Sequence, residues 1–133
     1  MEDPQTVYVR YIVNDVNETI NFYKEFLGFE LVMHPAPPFA IISLNNLRLL
    51  LSQPGSGGGG HASPEGELPK PGGWNRIHIP VENLNSVYTK LQKKGATFKT
   101  EIIEGIGGNQ VLLQDPSGNL IELFESKAVK YSR

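Results

Sequence analysis

Apolar residues recur along the chain at two spacings, which predict short strands and two helices. In the first half, β-branched and aromatic residues dominate four short runs, and a stretch with helical spacing separates the first two. The predicted strands are 6–13, 29–33, 39–44 and 47–52. The predicted helix has a cap at Asn14-Asp15, an apolar stripe of Val16, Ile20, Tyr23 and Leu27, and Gly28 as its stop. The first half is therefore predicted to be β-α-β-β-β.

The second half repeats this order of elements. Strands are predicted at 74–81 and 97–103, followed by a closing pair within 110–125. The intervening helix has its predicted cap at Asn83 and its stop at Gly95. Between them, Leu84, Val87 and Leu91 form an apolar stripe. The closing strands meet at a tight turn, in which Asp115 can accept hydrogen bonds from the backbone and Gly118 supplies a positive φ.

Matching segments indicate that the chain is an internal duplication. The segment that begins at Val13 resembles the one that begins at Val81, and the helix stops Gly28 and Gly95 correspond. The segment Asn46-Leu-Arg-Leu-Leu-Leu corresponds to Asn119-Leu-Ile-Glu-Leu-Phe. Two β-α-β-β-β modules are therefore expected, at about 5–53 and 73–126, within a single domain spanning 1–133.

The modules are joined by residues 54–73, which are rich in glycine and proline and predict a flexible connector. A glycine-rich phosphate cradle is the alternative interpretation, but neither a GK[ST] motif nor a predicted helix follows the glycines. His61 lies inside this connector, where it is expected either in solvent or beside a site.

Glu122 is the residue of the closing hairpin that most needs an explanation. Alternation along the strand places Leu120, Glu122 and Phe124 on one face, so the carboxylate lies between two apolar side chains. A carboxylate there requires a metal, a basic side chain or a ligand as its partner. The alternative is an edge strand with Glu122 in water.

Composition narrows the possible classes of protein. The chain has 133 residues, a net charge of −2 and no cysteine, which excludes disulfides and thiol nucleophiles. Its basic residues are scattered, its start is acidic and polar, and its apolar runs are too short for a membrane span. We therefore expect a cytoplasmic protein that binds neither nucleic acid nor membrane.

Three segments resemble the vicinal oxygen chelate superfamily, which includes glyoxalases, bleomycin-resistance proteins and extradiol dioxygenases. They are Val13-Asn-Asp-Val with the following helix, Val81-Glu-Asn-Leu, and Asp115-Pro-Ser-Gly-Asn-Leu-Ile-Glu-Leu. The resemblance implies an α+β fold of two tandem βαβββ modules. Their curved mixed sheets would form a cup, with the helices on the convex side. It also implies a homodimer.

The resemblance further implies four positions at which metal-dependent members place ligands. Carried onto this chain, these positions are Tyr8, Leu49, Arg76 and Glu122. Leucine cannot ligate a cation and arginine stays protonated, so only Glu122 has the expected chemistry. We therefore expect no cofactor and disfavour a divalent metal.

The resemblance places further residues in the cup through strand alternation. Arg10 is expected beside Tyr8, and His78 beside Arg76. The predicted ligand-binding set is Tyr8, Arg10, Leu49, Trp74, Arg76, His78 and Phe124, with Glu122 as the catalytic candidate and Leu51 and Leu120 as apolar wall. The alternative for His78, as for many strand histidines, is a structural role. The alternative for Trp74 is packing in the core.

Two functions remain open. The favoured one is a protein that binds a small organic molecule in a metal-free cup, because paired arginines suit a carboxylate or phosphate. The other is a metal-dependent glyoxalase-like lyase, isomerase or dioxygenase, with Glu122 as ligand or base. A purely structural interaction domain is the weaker third interpretation.

Overall fold

The structure is a computed structural model that describes residues 4–128. It contains two compact units. The first unit extends to Gly73 and includes the turn Asp115–Asn119, and the second comprises Trp74–Gln114 and the chain from Leu120 onward.

The first unit combines one helix with a four-stranded mixed sheet. In chain order its elements are β1 (Val7–Ile12), α1 (Val16–Leu27), β2 (Glu30–Ala36), β3 (Phe39–Leu44) and β4 (Leu47–Ser52). The strands lie in the order β1-β4-β3-β2, with β1 and β4 parallel and the other pairs antiparallel. β2 runs three residues beyond the predicted end, through Pro35. An outer strand tolerates proline because one of its edges makes no ladder bonds.

Local chemistry sets the ends of α1 as predicted. The Asp15 side chain accepts a hydrogen bond from the Glu18 N–H, and Gly28 adopts a φ of 74° that favours glycine. Val16 and Tyr23 are buried where α1 packs on the sheet. Helix packing therefore leaves the other face of this sheet as its accessible side.

The connector contains hydrogen-bonded turns separated by irregular chain. A 3₁₀ turn spans Gly58–Gly60, although no helix was predicted there. Side chains added at two of its glycines would collide with neighbours: at Gly59 with the Arg10 guanidinium, and at Gly60 with the Gln53 carbonyl and Ser56 hydroxyl. The glycines are therefore required by close packing and not only by flexibility.

The turn Asp115–Asn119 packs within the first unit. Asp115 accepts hydrogen bonds from the backbone of its own turn, as predicted, and also from the Tyr23 hydroxyl at 3.0 Å. Asn119 donates to the Ile12 carbonyl at 2.8 Å. Burial raises the pKa of Asp115, against the opposing effect of hydrogen bonds from Asn119, Ser117 and Tyr23. The pKa of Tyr23 is also raised. The main cause is burial of its hydroxyl, and the second is the nearby Asp115.

The second unit has the same order of elements with one interruption. It contains β5 (Arg76–Pro80), α2 (Leu84–Lys93), β6 (Thr97–Phe98), β7 (Ile103–Glu104), β8 (Gly108–Gln114) and β9 (Leu120–Ser126). The sheet order is β5-β9-β8-β6, and β7 also pairs with β8. The strand predicted at 97–103 is thus split into two short strands, β6 and β7, which both pair with β8.

The expected fold class is confirmed: helices pack on open mixed sheets in an α+β arrangement. Neither helix within 4–128 is long and apolar enough to cross a membrane.

Candidate functional site

Strand register in the second unit brings the candidate polar residues onto one side of its sheet. His78 of β5 pairs with Glu122 of β9, which in turn pairs with Leu112 of β8. We call this surface the Glu122 face, and it consists of Arg76, His78, Gln110, Leu112, Leu120, Glu122 and Phe124. The opposite side is apolar and buried, with Val111, Leu113, Ile121 and Leu123 as its core. Helix α2 packs against β8 and β9.

Glu122 lies in the middle of this face and is paired with Arg76. The Arg76 Nε and Nη2 atoms donate to Glu122 Oε1 at 3.0 and 2.9 Å. The pair is diagonal, since Arg76 lies directly opposite Leu120. Only 13% of the Glu122 side chain and 27% of the Arg76 side chain are exposed, so the charges are partly desolvated. Of the three kinds of partner expected for Glu122, a basic side chain is the one in contact with it.

His78 holds the second oxygen of the carboxylate. Its Nδ1 lies 3.3 Å from Glu122 Oε2, and its ring packs on Phe124 with centroids 4.8 Å apart. With its amide nitrogen turned toward the carboxylate, Gln110 donates to both oxygens at 3.2 Å. Both oxygens of Glu122 are thus occupied by donors from the protein.

The floor and one end of the Glu122 face are apolar. Leu112 and Leu120 are almost fully buried beneath the charged residues. Trp74, by contrast, is 65% exposed, which does not fit the alternative of core packing. The Lys99 ammonium lies 4.7 Å from the centre of the Trp74 ring, and the Trp74 carbonyl accepts from Arg76 Nη1 at 3.2 Å.

The prediction that Leu49 and Leu51 share a face with Tyr8 and Arg10 is wrong. Parallel pairing places Tyr8 opposite Arg48 and Arg10 opposite Leu50, whereas Leu49 points to the other side and is fully buried. Because Arg10 and Leu50 pair as His78 and Glu122 do, Leu50 is the counterpart of Glu122. The corrected position is also a leucine, so it still cannot ligate a cation.

Arg10 has partners within the first unit. Its Nη1 donates to the buried Ser52 hydroxyl at 2.9 Å, and its guanidinium packs against Gly59 of the connector. Arg10 and Tyr8 lie on the accessible side of their sheet, where their role in ligand binding stays a prediction.

Sequence reasoning missed Gln110, Lys99 and Gly108. Gln110 is in phase with Glu122 across the β8–β9 pair, so alternation could have identified it. Lys99 gave no signal, because it lies in the break between two strands. Gly108 begins β8, where an added side chain would collide with the Phe124 ring and the Glu125 carbonyl.

The donor set of the Glu122 face does not fit a divalent cation. Residues 4–128 contain no group of three or more His, Cys, Asp or Glu side chains arranged to hold one. Glu122, His78 and the amide oxygen of Gln110 are the possible ligands on this face, but the Arg76 guanidinium contacts the carboxylate and Gln110 turns its amide nitrogen toward it. A cation would have to displace a positive charge to reach Glu122.

Comparisons with known proteins agree with this architecture. A virulence protein of Salmonella typhimurium is 28% identical over 117 residues, covering 85% of this chain and 78% of its own. Its crystal structure covers 95% of this chain and 99% of that one, with a TM-score of 0.74 and 24% identity.

Of two further similar proteins, one has the name of an enzyme and the other is described as a binding protein. Glyoxylase I 4 of Arabidopsis thaliana is 31% identical over 123 residues, covering 87% of this chain and 67% of its own. The crystal structure of TnmS3, an antibiotic binding protein from Streptomyces, has a TM-score of 0.69 at 20% identity, covering 96% and 99% of the two chains.

The sequence model of a protein superfamily also matches this chain over residues 5–123. The strand order and the closing hairpin agree with that match. The chain therefore belongs to the Glyoxalase/Bleomycin resistance protein/Dioxygenase superfamily.

Proposed function

We propose that this protein binds a small organic molecule with a carboxylate or phosphate group on the Glu122 face, without a metal. The main support is the Arg76–Glu122 ion pair, which is partly desolvated above Leu112 and Leu120. An ion pair contributes little to packing there, since apolar residues of similar volume often stabilise a site equally well. Binding of a charged ligand accounts for an ion pair at this position.

Arg76 is the proposed anchor for the anion. A guanidinium has five N–H groups. Its bonds to Glu122 and to the Trp74 carbonyl leave one N–H on each terminal nitrogen for a ligand. Two parallel N–H groups match a carboxylate or phosphate. Phe124 and the exposed Trp74 supply apolar area beside them for the rest of the molecule.

The second candidate is a metal-dependent glyoxalase-like lyase, isomerase or dioxygenase in which Glu122 is ligand or base. The name of the Arabidopsis relative favours an enzyme, and the description of TnmS3 favours binding. Full occupation of Glu122 by Arg76, His78 and Gln110 weighs against this candidate, because both proposed roles need an accessible oxygen. Elemental analysis of protein purified without chelator tests it, and near-stoichiometric zinc, nickel, manganese or iron would favour it.

Trp74 provides a direct test of binding, since it is the sole tryptophan and lies beside Arg76. Titration with benzoate or phenyl phosphate should change its fluorescence saturably, whereas neutral benzamide should bind more weakly. Arg76→Gln should weaken binding of the anions about tenfold or more. Lys90→Gln, on the exposed side of α2, serves as the control for loss of a positive charge. Equal affinity for benzoate and benzamide would contradict the proposal.

We also propose a homodimer in the cytoplasm. β1 and β2 are the outer strands of the first sheet, and β2 exposes Leu31, Val32 and Met33. Outer strands with exposed apolar residues favour pairing between copies. Light scattering should give twice the 14.7 kDa of one chain at micromolar concentration, and a monomer mass would refute the dimer.

A further inference from the structure

We propose that His78 is a catalytic base, with Glu122 as the residue that positions it. The substrate class is a small carboxylic acid with an acidic C–H bond next to a carbonyl group. This inference rests on the proposed function, because Arg76 would hold the carboxylate of the substrate. It reverses the prediction that Glu122 itself is the catalytic residue.

The contact with Glu122 determines which nitrogen of His78 is available. Nδ1 faces Glu122 Oε2 at 3.3 Å, so a proton on Nδ1 is stabilised by the carboxylate. The lone pair of the neutral ring is then on Nε2. The side chain of His78 is 49% exposed, so a substrate can reach this nitrogen.

Packing fixes the orientation of the ring. His78 lies on Phe124 with a centroid distance of 4.8 Å and an interplanar angle of 45°. Phe124 is in turn held against Gly108, where even a methyl group would collide with it. A base that is fixed in orientation keeps a constant distance to its substrate.

Glu122 is unsuited to accept the proton itself. Oε1 receives two N–H groups from Arg76, and Oε2 faces His78 and Gln110. Its side chain is 13% exposed, against 49% for His78. The carboxylate can, however, stabilise the imidazolium that forms when His78 takes a proton, as in other carboxylate–histidine pairs.

The spacing along β5 suits a small acid. Arg76 and His78 are two residues apart on one face, which corresponds to roughly 6–7 Å between their backbones. With the carboxylate on Arg76, the C–H bond of a three- or four-carbon acid lies within reach of Nε2. The proton moves from carbon to Nε2, the electron pair of the C–H bond forms the carbon–carbon double bond, and the π pair of the carbonyl group moves onto its oxygen, which gives an enolate. Return of the proton from Nε2 to the same carbon gives exchange or racemisation, with no oxidant or reductant.

The tautomer of His78 is the first test, and it needs no substrate. Nitrogen NMR of the whole protein at about pH 8.5, where an ordinary imidazole is neutral, should show the proton of His78 on Nδ1. Glu122→Gln should abolish that preference, and Glu101→Gln, an exposed site, should not. A proton on Nε2 in the natural protein would overturn the proposal. Retention of the Nδ1 tautomer in Glu122→Gln would overturn the role of Glu122.

Deuterium exchange is the second test, with pyruvate as the probe. The natural protein should accelerate exchange of the pyruvate methyl protons in D₂O. His78→Gln should lower the rate about 100-fold, and Glu122→Gln about tenfold or more. His34→Gln, in β2, should leave it unchanged. Binding of pyruvate, measured by Trp74 fluorescence, without exchange would refute the catalytic role and leave the proposed function intact. Absence of both would refute both.

Discussion

Asp115 is a buried carboxyl group that accepts hydrogen bonds from neutral donors. The Tyr23 hydroxyl, the Asn119 amide and two backbone N–H groups surround it. Burial raises its pKa more than these hydrogen bonds lower it. The turn that it organises therefore depends on pH and on the Tyr23 hydroxyl.

Tyr23→Phe should destabilise the fold. The change removes one hydrogen bond to a buried carboxyl group and leaves the ring in place, which costs about 1–3 kcal/mol. Urea unfolding measures the loss. Tyr88→Phe is the matched control, because its ring contact with Phe98 is retained and the expected change is small. Equal losses in the two variants would show that the Asp115 contact contributes nothing.

The raised pKa of Asp115 also predicts the sign of a pH dependence. The folded state holds this proton more tightly than the unfolded state, so the contribution of Asp115 to stability is complete below its unfolded pKa of about 3.9. It is lost as pH rises through the raised pKa. Urea unfolding of the natural protein and of Asp115→Asn gives the difference between their free energies of unfolding. This difference should fall as the pH rises from about 3.9 through the raised pKa. A difference that increases with pH would contradict the raised pKa.

The Arg76–Glu122 pair should contribute more than a surface ion pair. A surface pair is worth about 0–1 kcal/mol, whereas removal of one partner from a partly buried pair leaves a poorly solvated charge. A double-mutant cycle with Arg76→Ala and Glu122→Ala isolates the coupling energy from urea unfolding. We expect a coupling of about 1–3 kcal/mol, and additive losses would show that the pair is structurally neutral.

At the scale of elements, Gly108 links β8 to the packing of the Glu122 face. Gly108→Ala places a methyl group against the Phe124 ring and the Glu125 carbonyl, and such overpacking costs about 1–3 kcal/mol. Gly107→Ala is an ideal control, because a side chain there meets nothing within 4 Å. Thermal unfolding should separate the two variants by several degrees, and a similar midpoint for both would contradict the described contact.

The elements themselves were largely predictable from the sequence. Asp15, Gly28 and Asn83 marked helix ends because their chemistry is local, and β3 and β4 have the predicted limits. The register of β4 was not predictable. In Leu49-Leu-Leu51 both faces carry leucine, so alternation gives no sign of which residue points inward.

The same contrast applies to the site. Arg76, His78 and Glu122 could be assigned to one face because polar residues interrupt apolar strands. The roles of Lys99 and Gly108 depend on contacts between residues distant in sequence, which a single sequence does not encode by periodicity.

At the scale of the whole molecule, the connector should be the first segment to be cleaved. Glu65 and Glu67 are exposed there, between turns that contain few buried groups. Limited digestion with a glutamate-specific protease should cut at these residues before Glu18 or Glu25, which lie in α1. Trypsin is unsuitable, because the connector's lysine precedes Pro71. Primary cuts within α1 would contradict the two-unit organisation.

The four consecutive glycines of the connector would not behave as interchangeable spacer in a saturation mutagenesis experiment. Gly57 has open space around it and should accept most amino acids, whereas Gly58 has space but a φ of 72°. Gly59 faces Arg10, and Gly60 faces backbone, so both should reject even alanine. Tolerance should therefore change from one position to the next, and shifting the run by a single inserted residue should be as harmful as replacing it.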